Sequence, residues 1–377
     1  MTTLEIRPFA EVWRGHADRL ALLASSGRRI LGYLCTYTPV EMLHAAGFVP
    51  VRILGGGTAA LSLASTVAPA FVCPYLRRAL EKALTGGYRY LSGVVQGYTC
   101  DGACGVVNIW ELHVPGDLYH TVSLPYMDTR EARRFLRAAL SELADKLEAA
   151  GGRLSESSLE ASLGLYEEIR VLARRLYELR SRGWLALSSV EFYTVVLAGL
   201  VTPPEEYLPM LRKLVSEAEA AGPHVSTGRG IPVLLSGSVV QDLEVLEILD
   251  ACGARVVADD LCTGWRAFSP PALGAEKGRD PVERLMDRHF GRFPCPARRK
   301  AQERAPLLAD LAAGSGAKGV VFLVQKFCTP HLADLPVVLE ALQSRGIRGV
   351  AVELEEEGVN EGQIRTRLQT FLEMVGA

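Results

Sequence analysis

"YLSGVVQGYTCDGACGVVNIWEL", residues 90–112, changes character in its middle. The first half is a short apolar run of the kind that fills a buried strand, and it ends at Cys100. If a helix starts there, Cys104 lies one turn further on and both thiols face one site. A strand feeding directly into a helix is the repeating unit of a parallel sheet, and the same pattern recurs on either side. "RRILGYLC", "FVPVRIL" and "LYHTVSLP" are further strands of the first third, with "PVEMLHAAG" and "CPYLRRALEKALTGG" as helical patterns between strands. From residue 129 apolar residues repeat at helical spacing, in "TREARRFLRAALSELADKLEAAGG" and "SESSLEASLGLYEEIRVLARRLYELRSRG", and helical stretches run on to residue 221. "AGPHVSTGRGIP" reads as a linker and "SPPALGAEKGRDP" as a surface loop. Strands resume with "IPVLLSGS", "ARVVADDLC", "KGVVFLVQKFC" and "RGVAVELE". The expected fold is α/β: a first parallel-sheet domain over 1–128, a helical segment over 129–228, and a second parallel-sheet domain with a C-terminal helix over 229–377.

A chain of 377 residues, 49% of them hydrophobic, supplies each such domain with a core. Its net charge of −2 gives no field to attract a phosphate backbone or an anionic membrane, which excludes nucleic acid as an expected partner. The N-terminal stretch lacks the apolar core of a secretory signal, and no run stays apolar for the roughly 18 residues of a membrane helix. A cytoplasmic protein is expected. In that reducing compartment the eight cysteines are buried thiols, catalytic groups or metal ligands rather than structural disulfides.

Cys35, Cys100, Cys262 and Cys328 each stand at or just past the carboxyl end of an expected strand, the edge where open parallel sheets bind ligands. Cys73 precedes a helix whose first residue is Pro74, so the helix dipole would lower its thiol pKa. Cys295 lies in a loop between prolines, either as a ligand or as a buried thiol. Cys252, inside a helical pattern, reads as a small core residue. The paired close spacings of structural zinc are lacking, and after Cys100 and Cys104 the next position of a radical-SAM triplet is Val107. Dispersed thiolates from several loops suit an iron–sulfur cluster held between domains.

Other signals carry two readings each. "TPVE" fits a capping box from Thr38 to Glu41 with Pro39 at the first helical position; a catalytic Glu41 is the alternative, and His44 on the same helix is either a proton carrier or a boundary histidine. "LGGGTA" reads as a turn, because no acidic residue follows at the distance a dinucleotide site needs. "SGS", with Ser236 and Ser238, is either a cradle for a phosphate or substrate carbonyl or an ordinary strand-to-helix turn. Asp259, Asp260 and Arg266 beside Cys262 either pair with one another, shape the cluster pocket or hold an anionic substrate.

Six motifs, in order, resemble the 2-hydroxyacyl-CoA dehydratase and benzoyl-CoA reductase subunit family: "GYLCTYTPVEMLHAAGFVPVRILG", "CPYLRRALEKALTGGYRYLSGVV", "CD" at 100–101, "GARVVADDLCTGWR", "GVVFLVQKFCTPH" and "NEGQIRTRLQTFLE". The resemblance implies two flavodoxin-like domains with a [4Fe-4S] cluster between them, its ligands matching Cys73, Cys100 and Cys328. It implies an ATP-dependent iron–sulfur activator that delivers one electron, an acyl-CoA substrate that loses water through a ketyl radical, and assembly with a homologous subunit or as a dimer of itself. Glu41, His44 and His331 are the candidates for proton transfer. The additional thiols Cys35, Cys104 and Cys295 match the other branch of the superfamily, whose members carry a double-cubane [8Fe-9S] cluster and reduce small molecules. A non-catalytic, cluster-bearing partner subunit is the third possibility.

Overall fold

The computed structural model describes residues 4–56, 60–223, 230–269, 279–355 and 361–376. Half of the expected linker, most of the expected surface loop and residues 57–59 of the glycine-rich turn lie outside them.

All eight expected strands form. Ile30–Tyr33 (β1), Val49–Arg52 (β2), Gly93–Gly97 (β3) and Leu118–Val122 (β4) make one sheet. Ile231–Gly237 (β5), Ala254–Asp260 (β6), Gly319–Gln325 (β7) and Arg348–Leu354 (β8) make the other. The orders are β2-β1-β3-β4 and β6-β5-β7-β8, parallel throughout, so the second sheet repeats the topology of the first. Every residue of β1, β2, β3 and β7 is buried, as expected where helices cover both faces of a sheet. In each sheet the chain reverses its direction of winding between two central strands, β1 and β3 or β5 and β7. A crevice opens there at the carboxyl ends.

The two halves interlock. Helix Arg130–Ala149 puts Leu136, Leu140, Leu143 and Leu147 into the core of the first sheet. Helices Ser189–Val201 and Pro204–Ala221 share a core with the second sheet, and helix Glu156–Ser181 serves both, with Leu159 and Leu163 in the first core and Ile169, Ala173 and Leu176 in the second. Helix Pro281–Gly291, late in the chain, returns to the first core through Leu285 and Met286, held by Arg133 to Asp287 at 2.8 Å. Helix Arg7–Ser25 bridges both, with Phe9 and Val12 in the second core and Leu20 against β1 and β2. No described helix is long and apolar enough to cross a membrane.

The capping-box reading of residues 38–41 is overturned. Helix Val40–Ala45 has Pro39 at its N-cap and no side-chain cap. The Thr38 hydroxyl instead accepts the Gly97 N–H at 3.0 Å, tying the β1 loop to the end of β3, and Glu41 turns away to Arg170. A tertiary donor and a buried guanidinium outcompete the local cap.

Candidate functional site

The thiols converge where the carboxyl edges of the two sheets meet. Cys73, Cys100 and Cys328 are N-cap residues of helices Pro74–Leu84, Asp101–His113 and Thr329–Ser344, with extended backbone at the first two. All three pairs among them stand within electrostatic reach: Cys73 with Cys100, Cys100 with Cys328, and Cys328 with Cys73. Phe327 presents Cys328 to this space from a left-handed conformation, φ 62°, the one such non-glycine residue among those described. Cys35 and Cys104 adjoin Cys100 and one another, and Thr99 donates to the Cys35 sulfur at 3.2 Å. Cys295 reaches them because helix Pro281–Gly291 has carried the chain back onto the first sheet.

Cys262 belongs to this group although the expected ligand sets omit it. Its sulfur receives a hydrogen bond from the Cys295 thiol and lies 3.5 Å from Arg266 Nη1. Its place at the end of β6 was the available signal. Cys252 stands apart, at the C-cap of helix Glu244–Ala251, with Arg365 as its charged neighbour.

Burial decides the charge state of most of these groups. It pushes Cys73, Cys100 and Cys328 up to about 12 and Cys104 to about 11. The expectation that a helix dipole lowers the Cys73 pKa therefore fails: backbone N–H groups at the helix start do pull it down, but desolvation is the larger effect. Cys262 goes the other way, held down first by the Cys295 hydrogen bond and then by Arg266 and Arg52, while that same bond pushes Cys295 up. The pair shares one proton and titrates as a unit.

Cations ring the thiols. Arg52, at the end of β2, is 3% exposed, and its Nε and Nη1 have no hydrogen-bond partner among the described residues while it faces Cys262 and Cys35. An arginine inside the apolar run "FVPVRIL" was the sequence signal for it. A buried, half-paired guanidinium beside buried thiols is costly, and it fits an anionic group among them. The residues thus fit a thiolate-held cluster, whose ligands must lose their protons on binding. No three His, Cys, Asp or Glu side chains among the described residues are grouped to hold a single metal ion. A cubane is wider than an ion, and its protein ligands bind separate irons.

Arg266 is fully committed. It donates to the carbonyls of Asp260 and Gly237, touches Cys262, and approaches His331 Nε2 at 3.3 Å. As a substrate-binding residue it is therefore unsuited: it orders the thiol site instead. His331 spans from Arg266 to the Cys328 sulfur, 3.3 Å from Nδ1. An arginine N–H only donates, so pairing with it makes Nε2 an acceptor and leaves the Nδ1 proton for the sulfur. Burial and the nearby Arg266 and Arg304 hold the ring neutral.

Ser236 is wholly buried and its hydroxyl has no partner among the described residues; Ser238 is half-buried, and its carbonyl accepts the Cys262 N–H at 2.6 Å. The cradle reading of "SGS" does not hold, because the Gly237 N–H is taken by Asp260 and the next helix starts only at Glu244. Asp259 accepts from Tyr177, Tyr193, Leu261 N and Trp265 N at 2.6–2.9 Å, clamping the loop that carries Cys262 onto two helices. Gly264 is required in that loop, since a Cβ there would come within 2.1 Å of Asp259 Oδ1. Asp260 pairs with Arg304, and Arg304 with Asp334 at 2.6 Å.

Glu41 and His44 do not reach the sulfur atoms. Glu41 is completely buried, paired with Arg170 and lying 3.1 Å from Arg288 Nε. Burial opposes its charge, but Arg170, Arg288 and Arg292 hold its pKa at about 2, so it stays ionised and is a poor proton carrier near neutrality. His44 is occupied at both nitrogens, by Ser162 at 2.9 Å and Glu205 at 2.8 Å. Of the three proton-transfer candidates, the fold brings only His331 to the thiols.

Known proteins match this chain along nearly its whole length. It is 27% identical over 354 residues to the lactoyl-CoA dehydratase subunit beta of Anaerotignum propionicum, covering 93% of each chain. It is 27% identical over 356 residues to the (R)-phenyllactyl-CoA dehydratase beta subunit of Clostridium sporogenes, again covering 93% of each. To a benzoyl-CoA reductase subunit of Thauera aromatica it is 26% identical over 361 residues, covering 93% of this chain and 92% of that one. The family described as 2-hydroxyglutaryl-CoA dehydratase, D-component, matches residues 35–375. With the thiol-lined edges of both sheets inside that span, the chain belongs to the 2-hydroxyglutaryl-CoA dehydratase D-component family.

Proposed function

We propose that this chain is the iron–sulfur subunit of a dehydratase that removes water from a 2-hydroxyacyl-CoA, acting with a homologous subunit and after one-electron activation by an ATP-dependent iron–sulfur protein. The observation that carries the reading is the closed triangle of Cys73, Cys100 and Cys328, one thiol from each of three helix starts. A [4Fe-4S] group held by three thiolates keeps one iron open and supplies a Lewis acid for a carbonyl or hydroxyl oxygen. The protein's part is positional. Phe327 and His331 aim and hydrogen-bond Cys328, Arg52 offsets negative charge among the sulfurs, and Asp259 fixes the Cys262 loop. The dehydratase beta subunits among the relatives support the reaction class, and their designation as beta subunits supports a partner.

Cys35, Cys104 and Cys295 in the same cleft favour a second reading, a double-cubane [8Fe-9S] reductase driven by the same kind of activator. Anaerobic determination of iron and acid-labile sulfide per chain separates the two: about four irons for the single cubane, about eight for the double. No iron in reconstituted protein would sink both. Bound cluster without turnover until a homologous subunit is added would leave the chain as a non-catalytic, electron-relay partner.

A further inference from the structure

Beneath the Cys35 loop lies a second feature, lined by no thiol although Arg292 stands within electrostatic reach of Cys35. A cavity of about 50 Å³ opens where three parts of the chain meet: Tyr33 and Thr36 from the first sheet, Arg170 from helix Glu156–Ser181, and Arg288 and Arg292 from the returning segment. All three arginines are more than nine-tenths buried. The carboxylate among them is Glu41, so three guanidiniums face one negative charge. Glu167, also beside Arg170 at 3.6 Å, is offset by Arg174 at 3.4 Å.

Their bonds are incomplete as well. Arg288 donates to the carbonyls of Ser269 and Ala267 while its Nε only ion-pairs with Glu41 Oε1 at 3.1 Å, outside hydrogen-bond alignment; Arg292 donates to the carbonyl of Thr36, but its Nε finds no acceptor among the described residues, nor does Glu41 Oε2 find a donor. Ion pairing that served only to tie three segments together would match charges and use these donors. The remaining walls are mostly apolar, among them Val40, Ile169, Leu200 and Phe268, with Thr202 and Tyr166 as further polar side chains. Guanidinium donors in a largely hydrocarbon lining suit a planar, bidentate acceptor on a short apolar chain.

We propose that this cavity is a binding site for the carboxylate of a short monocarboxylic acid, held by Arg288 and Arg292 with Glu41 setting the affinity. The size admits a few non-hydrogen atoms and no nucleotide. The site stands whether or not the dehydratase reading does, because no thiol or cluster takes part in it.

The test uses the full chain and propanoate as probe. Sodium propanoate should raise the thermal midpoint by a few degrees over sodium chloride at matched ionic strength, and propanamide, which keeps the chain but lacks the carboxylate, should not. Glu41→Gln removes the competing negative charge and should tighten propanoate binding by about tenfold, although the variant itself is less stable. Arg292→Gln should abolish the response. Should neither variant fold, wild-type crystals soaked in 3-bromopropanoate should show bromine anomalous density in the cavity. An equal shift with chloride, an equal one with propanamide, a Glu41→Gln protein with unchanged or weaker binding, or bromine absent from the cavity would each overturn the assignment.

Discussion

Arg52 is the residue whose behaviour most directly reports what the thiol cleft is built to hold. In the iron-free chain the Cys262 thiolate, shared with Arg266, offsets its half-paired buried charge only in part; with an anionic cluster beside it, the same charge assists. Arg52→Met should therefore stabilise the iron-free chain, by about 1–3 kcal/mol in urea titrations, and lower the iron retained after anaerobic reconstitution. A loss of stability with iron content unchanged would mean a purely structural arginine. Cys100→Ala should lose iron while keeping its circular dichroism spectrum, because the thiol caps a helix start without a side-chain cap bond to lose. Unchanged iron in that variant would remove Cys100 from the ligand set. Much of this was legible in the residues themselves: cysteines at strand ends announced a ligand edge. Cys262 was visible there yet excluded by counting ligands in threes, and the spacing rules contain nothing about which thiol will meet an arginine. Glu41 misled for a related reason, since a capping-box pattern is local and its true partners are 129 residues away or more.

At the level of elements, alternating runs were sufficient because buried parallel strands and amphipathic helices differ in length and period. All eight strands could be read that way. Helix Arg7–Ser25 was not recognised: Phe9, Val12 and Leu20 are its only buried side chains, too sparse to mark a face. The turn ahead of helix Thr329–Ser344 was also hidden, since a phenylalanine gives no hint of a positive φ. That turn has a measurable cost. Holding a non-glycine residue in the left-handed region takes roughly 1–2 kcal/mol, about what glycine forfeits in the unfolded chain. Phe327 is 43% exposed, so little packing is lost on truncation. Phe327→Gly should leave the denaturation midpoint within about 1 kcal/mol of wild type, where Phe→Ala in a core costs about 3–5 kcal/mol. A core-sized loss would show that the ring, not the backbone, positions Cys328.

Across the whole molecule, acid should weaken the fold before any carboxylate pair breaks. Burial, aided by Arg292, Arg298 and Arg299, lowers His289 to about 3, and burial lowers His16 and His120 too. Below about pH 6.5 the unfolded chain binds protons that these folded histidines refuse, so stability falls as pH falls, by up to about 1.4 kcal/mol per pH unit for each. Glu41, ionised down to about 2, adds a loss of the same sign between about pH 4.5 and pH 2. Urea midpoints at about pH 7.5 and about pH 5.5 check this, and a flat profile would contradict it. The sequence division into three consecutive blocks concealed how the blocks interlock, because contacts such as Arg133 with Asp287 span 154 positions.

That interlocking bears on biogenesis. Cys73 and Cys100 emerge from the ribosome in the first third of the chain, and Cys328 follows only after β7 has been made. If these three hold the proposed cluster, iron delivered to a nascent chain would meet an incomplete claw, and on that proposal metal loading follows synthesis of the second sheet.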